Sequence, residues 1–417
     1  MNRTTVRRSC YVLLAVLAII ASACRGAKKE ATPQATATAT GTGIARTASD
    51  VGVTADQIVL GSHFALTGPA ASYAPISKAA QAYFEYVNTE LGGVNGRKIV
   101  LKVIDDAYDP SKTVAAAKQL VDQEKVFALF NGLGTPTHSA VYEYLNEQKV
   151  PDLYVATGAA KWNDPKNHPY TFGYPPSYPS EAEIFANYYQ QALAGKKVGI
   201  LYQNDDFGKD YLNTFVAKAS GAPIVGKQSY EATATDVSSQ LTALKGVGAE
   251  VLLLAAIPKF SAQALKNIHD QGWKPTVLLS YVSADPSVIK NAGVEAAEGV
   301  ISAGYLPQYD DAANPDIAFH KQVLSKYAPG LEPSNFTVYG VSSAQMMVET
   351  LKRAGINPTR ASLLQAAESV QNFKSMALGP ATMTPNDHTP LHCERLEKVV
   401  NGKFVYFGEL LCAAVKP

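Results

Sequence analysis

The stretch Leu129–Gly158, LFNGLGTPTHSAVYEYLNEQKVPDLYVATG, constrains the fold more than any other part of the chain. An apolar run, Val126–Phe130, ends in Asn131-Gly132, and a second run, Leu153–Ala156, ends in Thr157-Gly158. Between them Thr135-Pro136 is a helix-start signal. Thr135 can cap the first free N–H groups, and Pro136 occupies the first helical position, where its missing N–H costs nothing. Val141, Tyr144 and Leu145 then recur at helical spacing, which predicts a helix of about three turns. The unit reads strand, loop, helix, strand, loop. Both loops fall at the carboxyl ends of parallel strands, where open α/β sheets bind ligands. A hydroxyl beside unpaired helix N–H groups is a small anion site. The unit is expected to form half of a jaw that grips a small carboxylate.

The same alternation runs through the chain on both sides. Gln57–Phe64 predicts a first strand. Ala71–Leu91 places Ile76, Ala79, Tyr83, Phe84 and Val87 on one helical stripe, stopped by Gly92-Gly93. Lys98–Ile104 predicts a second strand, and Asp109-Pro110 starts a helix to about Glu124. Gln57 to Ala156 therefore reads β-α-β-α-β-α-β, a parallel sheet with right-handed crossovers. Lys161–Pro179, rich in Pro, Asn and Tyr, reads as a crossover rather than an element. The alternation restarts with strands expected at Lys197–Tyr202, Pro223–Tyr230, Val251–Ala256, Thr276–Ser280 and Val300–Gly304. Leu306-Pro307 begins another crossover. Asn314–Tyr327, Val338–Ala354 and Thr359–Val370 look helical. Asn401-Gly402 is a hairpin turn between strands Leu396–Val400 and Lys403–Phe407. The fold class is α/β, with two doubly wound parallel-sheet lobes joined by a hinge of two or three crossovers. Lobe 1 spans 56–175 with 306–375 returning to it; lobe 2 spans 176–305 with 376–417 returning to it.

At 417 residues the chain is long enough for two cores. A formal net charge of +1 argues against a nucleic-acid partner, which favours a basic face. Arg3, Arg7 and Arg8 precede the apolar stretch Tyr11–Ala23, which is too short for a comfortable lone membrane span. Ala21-Ser22-Ala23-Cys24 resembles the bacterial lipobox, with Ala21 where Leu is usual. Residues 1–23 are thus expected to be a signal peptide and Cys24 a lipidated anchor to the membrane. The plain alternative is a secretory signal cut near Ala23. Either reading exports the protein to the cell envelope. Residues 24–55, rich in Ala, Thr and Gly, are expected to be a flexible linker. In an oxidising compartment Cys393 and Cys412 can pair. Strict pairing from the Asn401-Gly402 turn puts Cys393 opposite position 410, two residues short of Cys412, so a disulfide needs a bulge or irregular strand ends.

These features resemble the extracytoplasmic solute-binding proteins of ABC transporters, in the branched-chain amino acid (Leu/Ile/Val) branch, from about Gln57 to Phe407. The residues that carry the resemblance are Leu66-Thr67-Gly68-Pro69-Ala70 with Tyr73 after it, and Gly92-Gly93-Val94-Asn95-Gly96. They continue with Asp105-Asp106-Ala107-Tyr108-Asp109-Pro110, Gly134-Thr135-Pro136-Thr137, Val150-Pro151 and Asp205-Asp206-Phe207-Gly208-Lys209. The resemblance implies a type I periplasmic-binding-protein fold, no catalysis, no cofactor and a permease partner in the membrane, with the binding protein itself a monomer. It implies that a ligand carboxylate meets the hydroxyl of Thr135 and the backbone of Ala156, Thr157 and Gly158. Tyr73 matches an aromatic that covers the site, and Phe207 one that closes from the second lobe. Ile257 is at another second-lobe contact. One departure bears on the ligand. Where amino acid binders carry an acid for the ligand ammonium, this chain has Tyr281. A buried ammonium without a carboxylate is costly, so a carboxylate with an apolar or aromatic body and no amine fits better. Asp285, close by, would restore the amino acid reading if the alignment slips.

Each of these residues also has a bland role. Thr135 can be only a cap, Tyr73 a packing residue, Phe207 and Tyr281 core edges, and Thr157-Gly158 an ordinary loop. Asp387, His388, His392 and Cys393 hold metal-ligand types, but Pro385, Pro390 and the hairpin argue for a solvated loop and no metal. Gly132-x-Gly134 lacks the third glycine of a dinucleotide loop. Two other functions compete with transport: a sensory lobe pair reporting to a separate membrane receptor, and an exported amide hydrolase. The latter lacks a nucleophile–base constellation.

Overall fold

Strand β1 (Gln57–Phe64) is buried along all but its first residue, as a parallel strand covered on both faces must be. With β2 (Lys98–Asp105), β3 (Ala128–Phe130), β4 (Asp152–Val155) and β5 (Thr171–Gly173) it forms a parallel sheet in the order β2-β1-β3-β4-β5. The second sheet holds β6 (Val198–Gln203), β7 (Ile224–Tyr230), β8 (Val251–Ala255), β9 (Thr276–Leu279) and β10 (Ile301–Gly304). It ends with β11 (Cys393–Val400) and β12 (Lys403–Cys412), in the order β12-β11-β10-β9-β8-β6-β7. Only β11 runs against the others there, pairing antiparallel with both β10 and β12. Counted within each lobe, the parallel strands stand in one order: second, first, third, fourth, fifth. The lobes are topological copies, and each has its switch point between its first and third strands.

The computed structural model describes residues 44–416. The expected signal peptide and Cys24 lie outside the described residues. Part of the segment read as a linker belongs to the folded domain. Thr47 N–H donates to Asn357 Oδ1 at 2.9 Å, and Ser49 Oγ donates to Pro358 O at 2.7 Å. Arg97 donates back to Thr47 O at 2.8 Å.

Beyond β10 the chain returns to the first lobe. Helix Pro315–Tyr327 sets Phe319 against Tyr86, ring centroids 5.2 Å apart. Helix Asn335–Arg353 crosses helix Ala74–Glu90 backbone to backbone: a Cβ on Gly340 would lie 2.3 Å from Ile76 O. The chain then crosses again to add β11 and β12 to the second sheet, so three crossings join the lobes.

Three expectations differ from the structure. The crossover Lys161–Pro179 contains β5, a three-residue strand that ends the first sheet. The helix after Thr135 is two pieces, Thr135–Ser139 and Tyr142–Glu147, turned at Ala140-Val141. His138 can thereby reach Asp152 while Tyr142 donates to Lys161 O at 2.9 Å. The loop around Asp387 and His388 is buried, with the His388 ring stacked on Phe172 at 3.7 Å, and is not a solvated loop.

Cys393 and Cys412 are paired. Their register is Cys393↔Cys412, and the two extra residues are absorbed by a bulge between Arg395 and Glu397. The bond closes a loop with a sequence separation of 19. Cys393→Ser with Cys412→Ser should lower unfolding free energy by about 3 kcal/mol through the unfolded chain's regained freedom. Urea titration reads this, and an unchanged midpoint would contradict it.

Candidate functional site in the cleft between the lobes

Asn131, with φ of 57°, turns the chain out of β3. A parallel bridge between Leu133 and Ala156 continues the β3–β4 pairing past the strand ends. Ala156 N–H donates to Gly132 O at 2.8 Å. Gly134, with φ of 99°, then starts the short helix; its missing side chain leaves room for the Tyr108 ring, which a Cβ would meet at 2.4 Å. Gly134 is the cap position and no side chain caps it, so Thr135 is the first helical residue and Pro136 the second. The expected capping role of Thr135 is therefore corrected: its hydroxyl points to the neighbouring loop instead. Thr135 Oγ1 lies 2.5 Å from Thr157 Oγ1, which lies 3.1 Å from the Tyr178 hydroxyl. Trp162 Nε1–H approaches Thr157 Oγ1 at 3.4 Å. Three hydroxyls and an indole N–H thus converge where β3 and β4 end.

The lobes enclose a cavity of about 100 Å³ here. Tyr73, Thr135, Ala156, Thr157, Phe207, Ile257 and Tyr281 all line it. They arrive symmetrically. Tyr73 and Phe207 follow the first strand of each lobe, Thr135 and Ile257 the third, and Thr157 and Tyr281 the fourth. Gly158 does not line the cavity. Its carbonyl accepts from Tyr178 N–H at 2.7 Å, and a Cβ there would lie 2.2 Å from the Tyr281 hydroxyl. It packs tightly there, with its carbonyl already engaged.

The walls are mainly aromatic. Tyr178 lies 4.9 Å from Phe207 and 5.7 Å from Tyr281, centroid to centroid, and Tyr281 lies 5.1 Å from Tyr305. Tyr73 packs on Phe336 at 5.0 Å. Reading the sequence missed Tyr108, Tyr178, Tyr305, Phe336, Tyr339 and Tyr406, which come from crossovers, a returning helix and the last hairpin. The lobes touch across the cleft: Gln203 Nε2 donates to the Tyr108 hydroxyl at 3.2 Å, and Lys161 pairs with Asp206 at 3.1 Å.

Beneath the Gly132–Thr135 loop runs a fully buried chain, Asp106–His63–His138–Asp152. Its links are 2.9, 3.0 and 2.6 Å. Burial lowers the His138 pKa, opposed by Asp152. The His138 Nε2 faces Asp152 and its Nδ1 faces His63, so both ring nitrogens are engaged inside the chain. A Cβ on Gly132 would strike His63 Nε2 at 2.5 Å, so the loop rests directly on these rings.

Among the described residues, neither Lys nor Arg lines the cavity, and Glu397 is the one acidic residue that does. Asp285 does not: it caps helix Pro286–Ala292 through Ser287 N–H at 2.9 Å and accepts from Phe336 N–H at 3.1 Å. Tyr281 stands where the acid was sought, its N–H held by Glu181 at 2.9 Å.

Three buried carboxyls therefore surround this half of the cleft. Burial pushes Glu397 up from 4.5 to about 8. Burial raises Glu181 and Glu394 too, and for Glu181 the neighbouring Glu394 adds to the rise. A carboxyl raised in the folded state keeps its proton where the unfolded chain has lost it. Its stabilisation is present below 4.5 and is lost as pH rises to about 8. Burial lowers His138, His320 and His388, which oppose this slope only up to 6.5. Between about pH 6.5 and pH 8 the melting temperature of the unliganded protein should fall, each protonated carboxyl contributing at most about 1.4 kcal/mol per pH unit. Glu394→Gln should make the fall shallower; a flat wild-type profile would contradict this.

The family model for periplasmic binding protein matches residues 57–403. A Leu/Ile/Val-binding protein homolog 3 from Brucella melitensis is 26% identical over 340 residues, 78% of this chain and 86% of that one. Among solved structures, a branched chain amino acid ABC transporter protein from Thermus thermophilus with bound valine has a TM-score of 0.77. It is 25% identical and covers 86% of this chain and 97% of its own. A fatty acid ABC transporter substrate-binding protein from Thermomonospora curvata also has a TM-score of 0.77, at 25% identity over 87% of this chain and 94% of its own. The two-lobed α/β fold and the match along most of its length agree: this chain belongs to the periplasmic binding protein family.

Proposed function

We propose that the protein captures a small carboxylate with an apolar body between its lobes and delivers it to the permease of an ABC transporter. The observation that carries this reading is the cluster of Thr135, Thr157 and Tyr178 hydroxyls at one end of an aromatic cavity. Each hydroxyl can turn its proton from its neighbour to an incoming carboxylate, and hydrogen bonds to a charged acceptor are the stronger kind. Aromatic walls desolvate the ligand body. Valine and a fatty acid, named for two of the solved relatives, share a carboxylate and an apolar body. With Tyr281 after β9 and Asp285 committed to a cap, a ligand without an α-amine fits this end of the cleft better. The protein works at the cell envelope, held by lipid on Cys24; labelling with a fatty acid should disappear in Cys24→Ser.

A thermal-shift comparison tests the ligand class. Branched aliphatic, fatty and aromatic carboxylic acids are set against their primary amides. Acids that raise the melting temperature while their amides do not support the proposal. Amides that match their acids would overturn it.

A further inference from the structure

Glu397 stands apart from the hydroxyl cluster. Along the cavity wall, Thr157 meets Tyr178, Tyr178 packs on Tyr281, and Tyr281 packs on Tyr305. Gly304, next in chain to Tyr305, lines the same cavity with Tyr406 and Glu397. A Cβ on Gly304 would lie 2.3 Å from the Tyr406 hydroxyl and 3.0 Å from Glu397 Oε2, so the glycine keeps this end open. Glu397 sits on β11 opposite Tyr406, just past the bulge that re-aims the strand.

Its hydrogen bonds run one way. Asn335 Nδ2 donates to Gln308 Oε1 at 3.1 Å, and Gln308 Nε2 donates to Glu397 Oε2. The Tyr406 hydroxyl is spent on Leu306 O. Glu397 Oε1 takes no hydrogen bond from any described residue, although the side chain is 1% exposed and lines the cavity. We propose that Glu397 is the specificity-determining residue for the ligand end remote from Thr135, and that it selects a neutral oxygen function there, a hydroxyl or carbonyl. The inference rests on the carboxylate reading above. Gln308 makes Oε2 an acceptor, so the proton of the buried acid belongs on Oε1, where it donates into the cavity. The titratable groups around it are Tyr406 on β12, also pushed up by burial, and Tyr305; Arg395 lies beyond the Tyr406 ring. Neither tyrosine changes charge near neutral pH. A ligand α-amine would lie beside its carboxylate, at the Thr135 end.

The test uses calorimetric titration of the full folded protein with two probe series. One is octanoate with its ω-hydroxy and ω-amino forms; the other is phenylpropionate with its para-hydroxy form. In at least one series the hydroxy acid should bind about tenfold more tightly than the plain acid near neutral pH. Glu397→Leu should abolish or reverse that preference. Glu397→Gln should keep it near neutral pH but remove its decline above about pH 8, a pH signature that a packing role would not produce and that serves if Glu397→Leu does not fold. Plain acids that bind as well as hydroxy acids in both series would overturn this inference and leave the carboxylate reading standing. The ω-amino acid binding most tightly, with release of a proton, would also overturn it. Failure of every acid to bind would instead overturn the underlying reading.

Discussion

Thr135→Ala should weaken ligand binding by about tenfold to a hundredfold, with little change in folding stability. The hydroxyl bonds to Thr157 and not to the helix's own N–H groups, so its removal leaves no helix end uncapped. What is lost is a donor to the ligand carboxylate, worth about 1.5–3 kcal/mol for a charged acceptor. Thr135→Ser keeps the hydroxyl and should bind within a fewfold of wild type. Titration with the tightest acid from the thermal screen reads both variants. Affinity within twofold of wild type in Thr135→Ala would remove Thr135 from the site.

The second large effect is on stability. His138→Ala should cost about 3–5 kcal/mol, because it leaves Asp152 buried without a donor. Asp152 Oδ1 already lacks a partner, and Oδ2 depends on His138 Nε2. The ring also packs edge-on against Trp162 at 5.0 Å, whose indole N–H reaches Thr157. The variant should therefore loosen the ligand end as well as the core. Adding Asp152→Asn should recover part of the loss, since a neutral amide is cheaper to bury than an unpaired acid. Urea unfolding measures both. A cost under about 1 kcal/mol for His138→Ala would show that the chain of rings and acids carries little.

Much of this was legible in the order of residues, and what was not has physical reasons. Gln57–Phe64 reads as a strand at its observed bounds because both faces are buried and the apolar run is unbroken. The two-residue offset between Cys393 and Cys412 follows from the Asn401-Gly402 turn and simple register, and a bulge rather than irregular ends absorbs it. Thr171–Gly173 escaped notice because a strand that short, set among Pro and Asn, has no period to show. The break at Ala140-Val141 is set by His138 reaching across to Asp152, a tertiary contact that helical spacing cannot reveal. Thr135 lines the cleft, but the capping bond expected of it does not form, because Gly134 holds the cap position. Glu397 was missed because its hairpin follows the second return of the chain, far in sequence from every loop it faces. Alternation along that strand gives only its side of the sheet, not what stands opposite.

The account turns on a carboxylate seated between the lobes at the Thr135–Thr157 hydroxyls. Denaturing the purified full-length protein and identifying the released small molecules by mass spectrometry asks this most directly. The expected result is a carboxylic acid with an apolar or aromatic body that raises the melting temperature when added back to the refolded wild type but not to Thr135→Ala. A released molecule with no carboxyl group that restores the melting temperature of both proteins equally would contradict it.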